Sequence, residues 1–172
     1  AVGAAASDLF DLGLLADDAA RARLAAACVR AENDVAGAPT GGMDQSASLR
    51  GAAGHALFLD CRDQSSRLVP FDADAAGLVL LVIDTKVSHS HAGGGYASRR
   101  ASCELGAEVL GVKALRDVGL ADLEEASGLL DPETFRRVRH VVTENDRVLQ
   151  VVELLDGAGP AAIGPLLDAS HA

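Results

Sequence analysis

A run of six apolar residues at 78–83, Leu-Val-Leu-Leu-Val-Ile, constrains the fold of this chain more than any other feature. Branched apolar side chains favour extended backbone, and an uninterrupted apolar run is typical of a strand covered on both faces. Residues 78–84 therefore predict a buried strand. Two shorter strands are predicted at 55–61 and 66–71, because the turn-forming residues between them suit a hairpin. The chain is expected to contain a β-sheet.

The first part of the chain has helical patterns. Small apolar residues at 2–12 favour a first helix. Asp17 and Asp18 offer an N-cap for a second helix, which is expected to run to about residue 36 and to stop at Gly37. The buried face of this second helix is predicted from four residues at helical spacing: Leu24, Cys28, Ala31 and Val35.

The second half of the chain is predicted to be largely helical. Asp131 followed by Pro132 is a strong start signal, since Asp caps helices and Pro is accommodated at the first helical position. The helix that begins there is expected to end near Gly157. Other helices are predicted at 99–109, at 120–127 and between Pro160 and Pro165.

Composition argues against several classes of partner. The 172 residues are 49% hydrophobic with a formal net charge of −10, which is typical of a folded protein that binds neither nucleic acid nor an anionic membrane through bulk charge. The sequence predicts no membrane span and no signal peptide. Cys28, Cys61 and Cys103 lack metal-ligand spacing, so free thiols in a reducing cytoplasm are expected. Because there is no initiator Met, we expect an internal portion of a longer protein.

The main candidate for chemistry is the stretch Thr40-Gly-Gly-Met-Asp-Gln-Ser-Ala-Ser-Leu-Arg50. Gly41 and Gly42 let the backbone bend sharply or approach a ligand closely, because neither carries a Cβ. Asp44 falls in the first turn of a predicted short helix, whose dipole favours the ionised carboxylate. Such a group either accepts a proton from a substrate hydroxyl or caps the helix, and this stretch alone leaves both interpretations open.

Four further residues are candidates for binding. Glu32 lies one turn after Cys28, where it is either a solvated surface residue or an inward-pointing ligand. His89 and His91 lie in a glycine-rich loop after the predicted buried strand, but two His without a third ligand are a weak metal signal. Tyr96, the only tyrosine, either packs against a sugar face or anchors that loop.

Five motifs follow one another along the chain. They are Ala31-Glu-Asn-Asp-Val-Ala-Gly37, Gly41-Gly-Met-Asp-Gln45, Gly54-His-Ala-Leu-Phe-Leu-Asp-Cys-Arg62, Tyr96 with Arg99-Arg100 and Cys103-Glu104, and Phe135-Arg-Arg-Val-Arg-His-Val-Val142. In this order and at this spacing they resemble galactokinases, in the kinase family named for galacto-, homoserine, mevalonate and phosphomevalonate kinases (GHMP). The resemblance extends across essentially the whole chain.

The resemblance implies an α+β fold, in which the end of an N-terminal α/β domain (residues 1–85) leads into a largely helical C-terminal domain (residues 86–172). It also implies a cytoplasmic, monomeric enzyme of galactose metabolism that uses ATP and Mg²⁺ to phosphorylate D-galactose at C1. Asp44 is then the catalytic carboxylate facing the C1 hydroxyl, and Glu32 is the Mg²⁺ ligand. Tyr96 and the backbone of Gly41 contact the sugar.

Parts of the family pattern have no counterpart in this chain. The N-terminal galactose signature and the C-terminal glycine-rich motif are missing, and the phosphate loop that binds ATP would lie upstream of Ala1. The resemblance therefore implies a fragment that is inactive by itself. Two related interpretations stay open: a kinase acting on N-acetylgalactosamine or a uronic acid, and a non-catalytic galactose and ATP sensor that regulates transcription through a partner protein.

Overall fold

The structure, a computed structural model, describes residues 1–37, 40–86 and 95–171, except for the side chains of residues 95–97. The chain divides into two compact units, Ala1–Leu78 with Ala158–Pro160, and Val79–Gly157 with Ala161–Ala172. The described residues are mainly helical and include a two-stranded sheet, so the predicted α+β class is confirmed. The predicted domains, 1–85 and 86–172, stay a prediction.

The described part of the first unit contains three α-helices: α1 (Val2–Leu9), α2 (Asp18–Arg30) and α3 (Met43–Arg50). α2 begins at its predicted cap, where the carboxylate of Asp17 accepts a 2.7 Å hydrogen bond from the N–H of Ala20. α2 continues directly into a π-helical turn, Ala31–Val35. The helical segment therefore stops just before Gly37, as predicted.

The predicted buried face of α2 holds only for its first part. Leu24 is 7% exposed and Cys28 is partly buried, whereas Ala31 is exposed and Val35 is 86% exposed. The prediction is wrong for the last two residues because a π-helical turn has more residues per turn than an α-helix. The buried stripe therefore loses its α-helical spacing after Arg30.

Two strands form the predicted hairpin. β1 (His55–Leu59) and β2 (Ser66–Pro70) pair antiparallel, with Leu57 opposite Leu68. Val69 of β2 is 1% exposed and anchors the hairpin in the first unit. Apolar burial on one face with exposed residues on the other is usual for a short antiparallel pair.

The predicted strand at 78–84 is wrong for this structure. These residues form no strand, and the five consecutive apolar side chains from Val79 to Ile83 are 71–90% exposed. A strand requires neighbouring backbone to pair with its N–H and C=O groups, and among the described residues only β1 and β2 pair. An apolar, branched sequence favours extended backbone but cannot supply that neighbour.

The second unit is built from helices, as predicted for this half of the chain. They are α4 (Gly95–Val109), α5 (Leu123–Leu129), α6 (Pro132–Gly157) and α7 (Gly164–His171), with 3₁₀ turns at Leu115–Asp117, Leu120–Asp122 and Pro160–Ile163. A buried apolar cluster that includes Leu115, Ala126 and Val138 forms the core. No helix in the described ranges has the length and apolar character needed to cross a membrane.

α6 begins at the predicted Asp-Pro signal and packs against α4. The Oδ1 atom of Asp131 accepts hydrogen bonds of 3.0 and 3.1 Å from the N–H groups of Glu133 and Thr134. Arg137 of α6 donates to the hydroxyls of Ser98 and Ser102 in α4, at 3.0 and 2.8 Å. These bonds fix the beginning of α6 and its position along α4.

Candidate functional site

One cavity of about 230 Å³ lies among the three helices of the first unit. α2 and its π-helical turn contribute Leu24, Cys28 and Glu32, which are spaced by four residues and so lie along one side of the helical segment. α1 contributes Gly3 and Ala4 from its first turn. The wall formed by α2 therefore changes from apolar to acidic as it approaches the π-helical turn.

α3 supplies the opposite acid of the cavity. Asp44 and Gln45 come from its first turn, and Ser48 and Leu49 come from the next. Asp44 and Glu32 are both exposed. Two carboxylates from different helices therefore line one cavity and are accessible from it.

Gly42 determines where α3 begins. It is the N-cap of α3, with φ +90°, and an added Cβ would lie 3.0 Å from Cγ2 of Val29 in α2. Only glycine adopts this left-handed backbone readily in so little space. Asp44 is the second residue of α3, so its interpretation as the helix cap is wrong. Its carboxylate still lies in the first turn of α3.

Thr40, which leads into α3, is hydrogen-bonded to a side chain next to Glu32. Oδ1 of Asn33 accepts a 2.7 Å hydrogen bond from the N–H of Thr40, and its Nδ2 donates to the carbonyl of Thr40 at 3.4 Å. The π-helical turn that carries Glu32 is thus connected to the start of the segment leading into α3. Single π-helical turns are frequent at functional sites.

Two arginines hold α3 on α2. Nη1 of Arg21 donates a 2.9 Å hydrogen bond to the carbonyl of Leu49 near the end of α3. Nε and Nη2 of Arg50 donate to the two carboxylate oxygens of Asp18, each at 2.9 Å. This paired hydrogen bond from Arg50 lowers the pKa of Asp18 and raises the pKa of Arg50 itself. The walls that carry Glu32 and Asp44 are therefore joined by bonds outside the cavity.

One polar side chain of the cavity is buried. Gln45 is 9% exposed, and its Oε1 atom is shielded from solvent without a hydrogen-bond partner among the described residues. Neither Gln45 nor Ser48 was predicted from the sequence as a cavity residue. Ser48 could have been predicted, because it follows Asp44 by four residues and so lies on the same face of α3. For Gln45 no pattern in the sequence distinguishes a buried glutamine from a solvated one.

The other sequence candidates do not lie in this cavity or cannot be placed. Gly41 is exposed and is not part of the cavity wall. The backbone of Tyr96 belongs to α4, but its side chain lies outside the described residues, as do His89 and His91. The described residues contain no group of three or more His, Cys, Asp or Glu that could hold a metal ion. Any cation held by Glu32 would therefore need oxygen ligands from other sources.

Comparison with known proteins shows that the chain is similar to galactokinases. It is 55% identical over 170 residues to the galactokinase of Streptomyces coelicolor, which covers 98% of this chain and 43% of that relative. It is 49% identical over 171 residues to the galactokinase of Mycobacterium tuberculosis, which covers 99% of this chain and 45% of that relative. The chain thus spans less than half the length of these curated relatives. No protein-family model matches it.

A solved structure supports the fold. The crystal structure of Lactococcus lactis galactokinase complexed with galactose matches with a TM-score of 0.80 over 98% of this chain and 43% of that protein, at 23% identity. The sequence identities to galactokinases confirm the resemblance that the five motifs predicted, and the solved structure agrees in fold.

Proposed function

We propose that this chain is part of a galactokinase, an enzyme that transfers the γ-phosphoryl group of ATP to the C1 hydroxyl of D-galactose. The observation that carries the proposal is the presence of Glu32 and Asp44 in one cavity beside the first turn of α1. Identities of 49–55% to galactokinases over nearly the whole chain support the same reaction. Since the chain spans less than half of those relatives, we expect the 172 residues alone to form no galactose 1-phosphate.

Asp44 is the proposed catalytic carboxylate. It is exposed, lines the cavity and lies in the first turn of α3. An ionised carboxylate can accept the proton of the C1 hydroxyl, or orient that hydroxyl, while its oxygen attacks phosphorus. Phosphoryl transfer depends mainly on positioning and charge neutralisation, so no covalent nucleophile is needed.

Glu32 is the proposed ligand for Mg²⁺, and the residues present fit that ion. Mg²⁺ is commonly bound through one or two carboxylates, with phosphate oxygens and waters completing the shell. When bound, the ion neutralises negative charge on the phosphates.

The catalytic role is tested in the full-length protein that carries this segment. Asp44→Asn removes the proton acceptor, and we expect galactose 1-phosphate formation to fall by about 10²-fold or more. Binding of D-galactose, measured by calorimetry, should largely survive. Asp34→Asn is the matched control, because Asp34 is exposed on the π-helical turn and is not part of the cavity wall. Retained turnover in Asp44→Asn would remove Asp44 from the catalytic role.

The metal role and the sugar are tested separately. Glu32→Gln should raise the Mg²⁺ concentration needed for half-maximal activity, and an unchanged Mg²⁺ titration would count against a ligand at Glu32.

Competition by N-acetylgalactosamine and a uronic acid distinguishes galactose from related sugars. A protein that binds galactose and ATP but releases no product would be a sensor. We further propose a cytoplasmic location and a monomer, as the resemblance implies.

A further inference from the structure

Gln45 is a buried residue whose side-chain oxygen lacks a partner. It follows Asp44 in α3, is 9% exposed and lines the cavity that also contains Glu32. Its Oε1 atom is closed off from solvent and accepts no hydrogen bond. Across the described residues it is the one buried side-chain oxygen or nitrogen in this condition.

Two other buried polar side chains among the described residues have hydrogen-bond partners. The hydroxyl of Ser7 accepts a 2.9 Å hydrogen bond from the N–H of Leu14, and the side chain of Thr134 is hydrogen-bonded to Asp131. A buried polar atom without a partner destabilises a protein, and a native structure usually has a specific reason for one. For Gln45 the adjoining cavity supplies that reason.

The missing partner must be a hydrogen-bond donor, because an amide oxygen carries lone pairs and no proton. An ionised carboxylate only accepts hydrogen bonds, and so do phosphate oxygens. A sugar hydroxyl donates as well as accepts. The last torsion of a glutamine side chain is broad and roughly two-fold. A rotation about it can therefore turn the oxygen of Gln45 from its closed position towards the cavity.

We propose that Gln45 is a specificity-determining residue whose amide oxygen accepts a hydrogen bond from a hydroxyl of the bound sugar. The inference rests on the proposed function and names an additional contact for its substrate. Binding of the sugar supplies the bond that the free protein lacks. The free protein is consequently less stable than it would be with an apolar side chain at this position.

Gln45→Met in the full-length protein tests the proposal, because methionine has a similar length and shape without the amide. We expect a higher urea midpoint for the sugar-free protein, since the unsatisfied oxygen is gone. We expect the KM for D-galactose to rise roughly three- to tenfold, the usual effect of losing one neutral hydrogen bond. The kcat and the Mg²⁺ requirement should hardly change. Gln150→Met makes the same chemical change at an exposed position of α6 and should alter none of these values.

Deoxy derivatives of galactose identify the hydroxyl. Removing the hydroxyl that bonds to Gln45 should raise KM in the wild-type protein but cause no further rise in Gln45→Met, because the two changes remove the same bond. A lower urea midpoint in Gln45→Met would show that the amide of Gln45 already stabilises the sugar-free protein, and it would overturn the proposal. The proposal would also be overturned if every deoxy derivative had the same KM as D-galactose in the wild-type protein. If the wild-type protein has no galactokinase activity, the proposed function fails, and calorimetry with D-galactose on both proteins decides the role of Gln45 separately.

Discussion

Gly106 of α4 packs closely against Val138 of α6, and we expect Gly106→Ala to destabilise the second unit. Gly106 is buried, and a Cβ added there would lie within 3.0 Å of Cγ2 of Val138, which is fully buried. Carbon atoms in favourable contact are about 3.5–4.0 Å apart. Val138 is β-branched and its χ1 angle is restricted in a helix, so rotation cannot easily remove the overlap. The two helices must therefore separate.

Two effects of opposite sign determine the free energy of unfolding of Gly106→Ala. Alanine is favoured over glycine in a helix interior by about 1 kcal/mol. Overpacking a filled core costs about 1–3 kcal/mol, and an overlap with a residue as buried as Val138 belongs to the upper part of that range. The net expectation is a loss of about 1–2 kcal/mol.

Amide hydrogen exchange followed by mass spectrometry measures the stability of the second unit separately from that of the first. A loss of 1–2 kcal/mol corresponds to exchange about 5–30 times faster in peptides of α4 and α6. Peptides of α2 and α3 should exchange at their wild-type rates. Far-ultraviolet circular dichroism checks that the helices are still formed in the variant.

Two further variants determine the cause. Gly128→Ala is the control, because Gly128 is an exposed position in α5 and an added Cβ would meet nothing within 4 Å. It should be neutral or slightly stabilising. Val138→Ala alone leaves a cavity, but Gly106→Ala with Val138→Ala should be more stable than the sum of the single changes, because the overlapping methyl group is gone. A Gly106→Ala variant as stable as the wild type, or additive effects in the double variant, would refute the close-packing argument.

Three other predictions concern charge and thiol chemistry. Hydrogen bonds from Thr134 hold the pKa of Asp131 below its ordinary value. The stabilisation of α6 by this cap is therefore complete above about pH 4 and is lost as pH falls through the lowered pKa. Asp131→Asn should remove this part of the acid sensitivity of stability, measured by urea titrations at several pH values. Burial raises the pKa of the Cys103 thiol, so iodoacetamide should modify the exposed Cys61 first, as peptide mass analysis would show. Arg50→Lys loses the paired hydrogen bonds to an exposed Asp18 and should lower stability by less than about 1 kcal/mol, seen as faster amide exchange in α3.

Each of these predictions has an outcome that contradicts it. An identical acid titration for Asp131→Asn would show that the ionised cap does not stabilise α6. Equal modification rates for the two cysteines would contradict the burial of Cys103. Unchanged exchange in α3 of Arg50→Lys would show that the bonds to Asp18 do not hold that helix.

Features that depend on nearby residues could be predicted from the sequence. The cap at Asp17, the hairpin at 55–71 and the start of α6 at Asp131 follow from hydrogen bonds within a few residues of each other. The position of Asp44 in the first turn of a short helix is local in the same sense. Such features form from the same short sequence whatever surrounds them, so patterns are a sound guide to them.

Features that depend on distant partners could not be predicted in this way. The run at 79–83 has the composition of a strand but no neighbouring strand among the described residues. Val35 is exposed because a π-helical turn, which periodicity does not indicate, changes the direction of the side chain. The burial of Gln45 depends on how α1 and α2 pack around α3. The sequence therefore indicated Glu32 and Asp44 through a family resemblance, and the structure added the cavity that they share.

Hydrogen bonds between the elements that carry Glu32 and Asp44 come from side chains that do not line the cavity. Asn33 holds Thr40, and Arg21 holds the carbonyl of Leu49, with bonds of 2.7 and 2.9 Å. Altering Asn33 or Arg21 should therefore shift the two carboxylates relative to each other without changing either acid. Under the proposed function, those two positions are where variants for a sugar of different size would be sought.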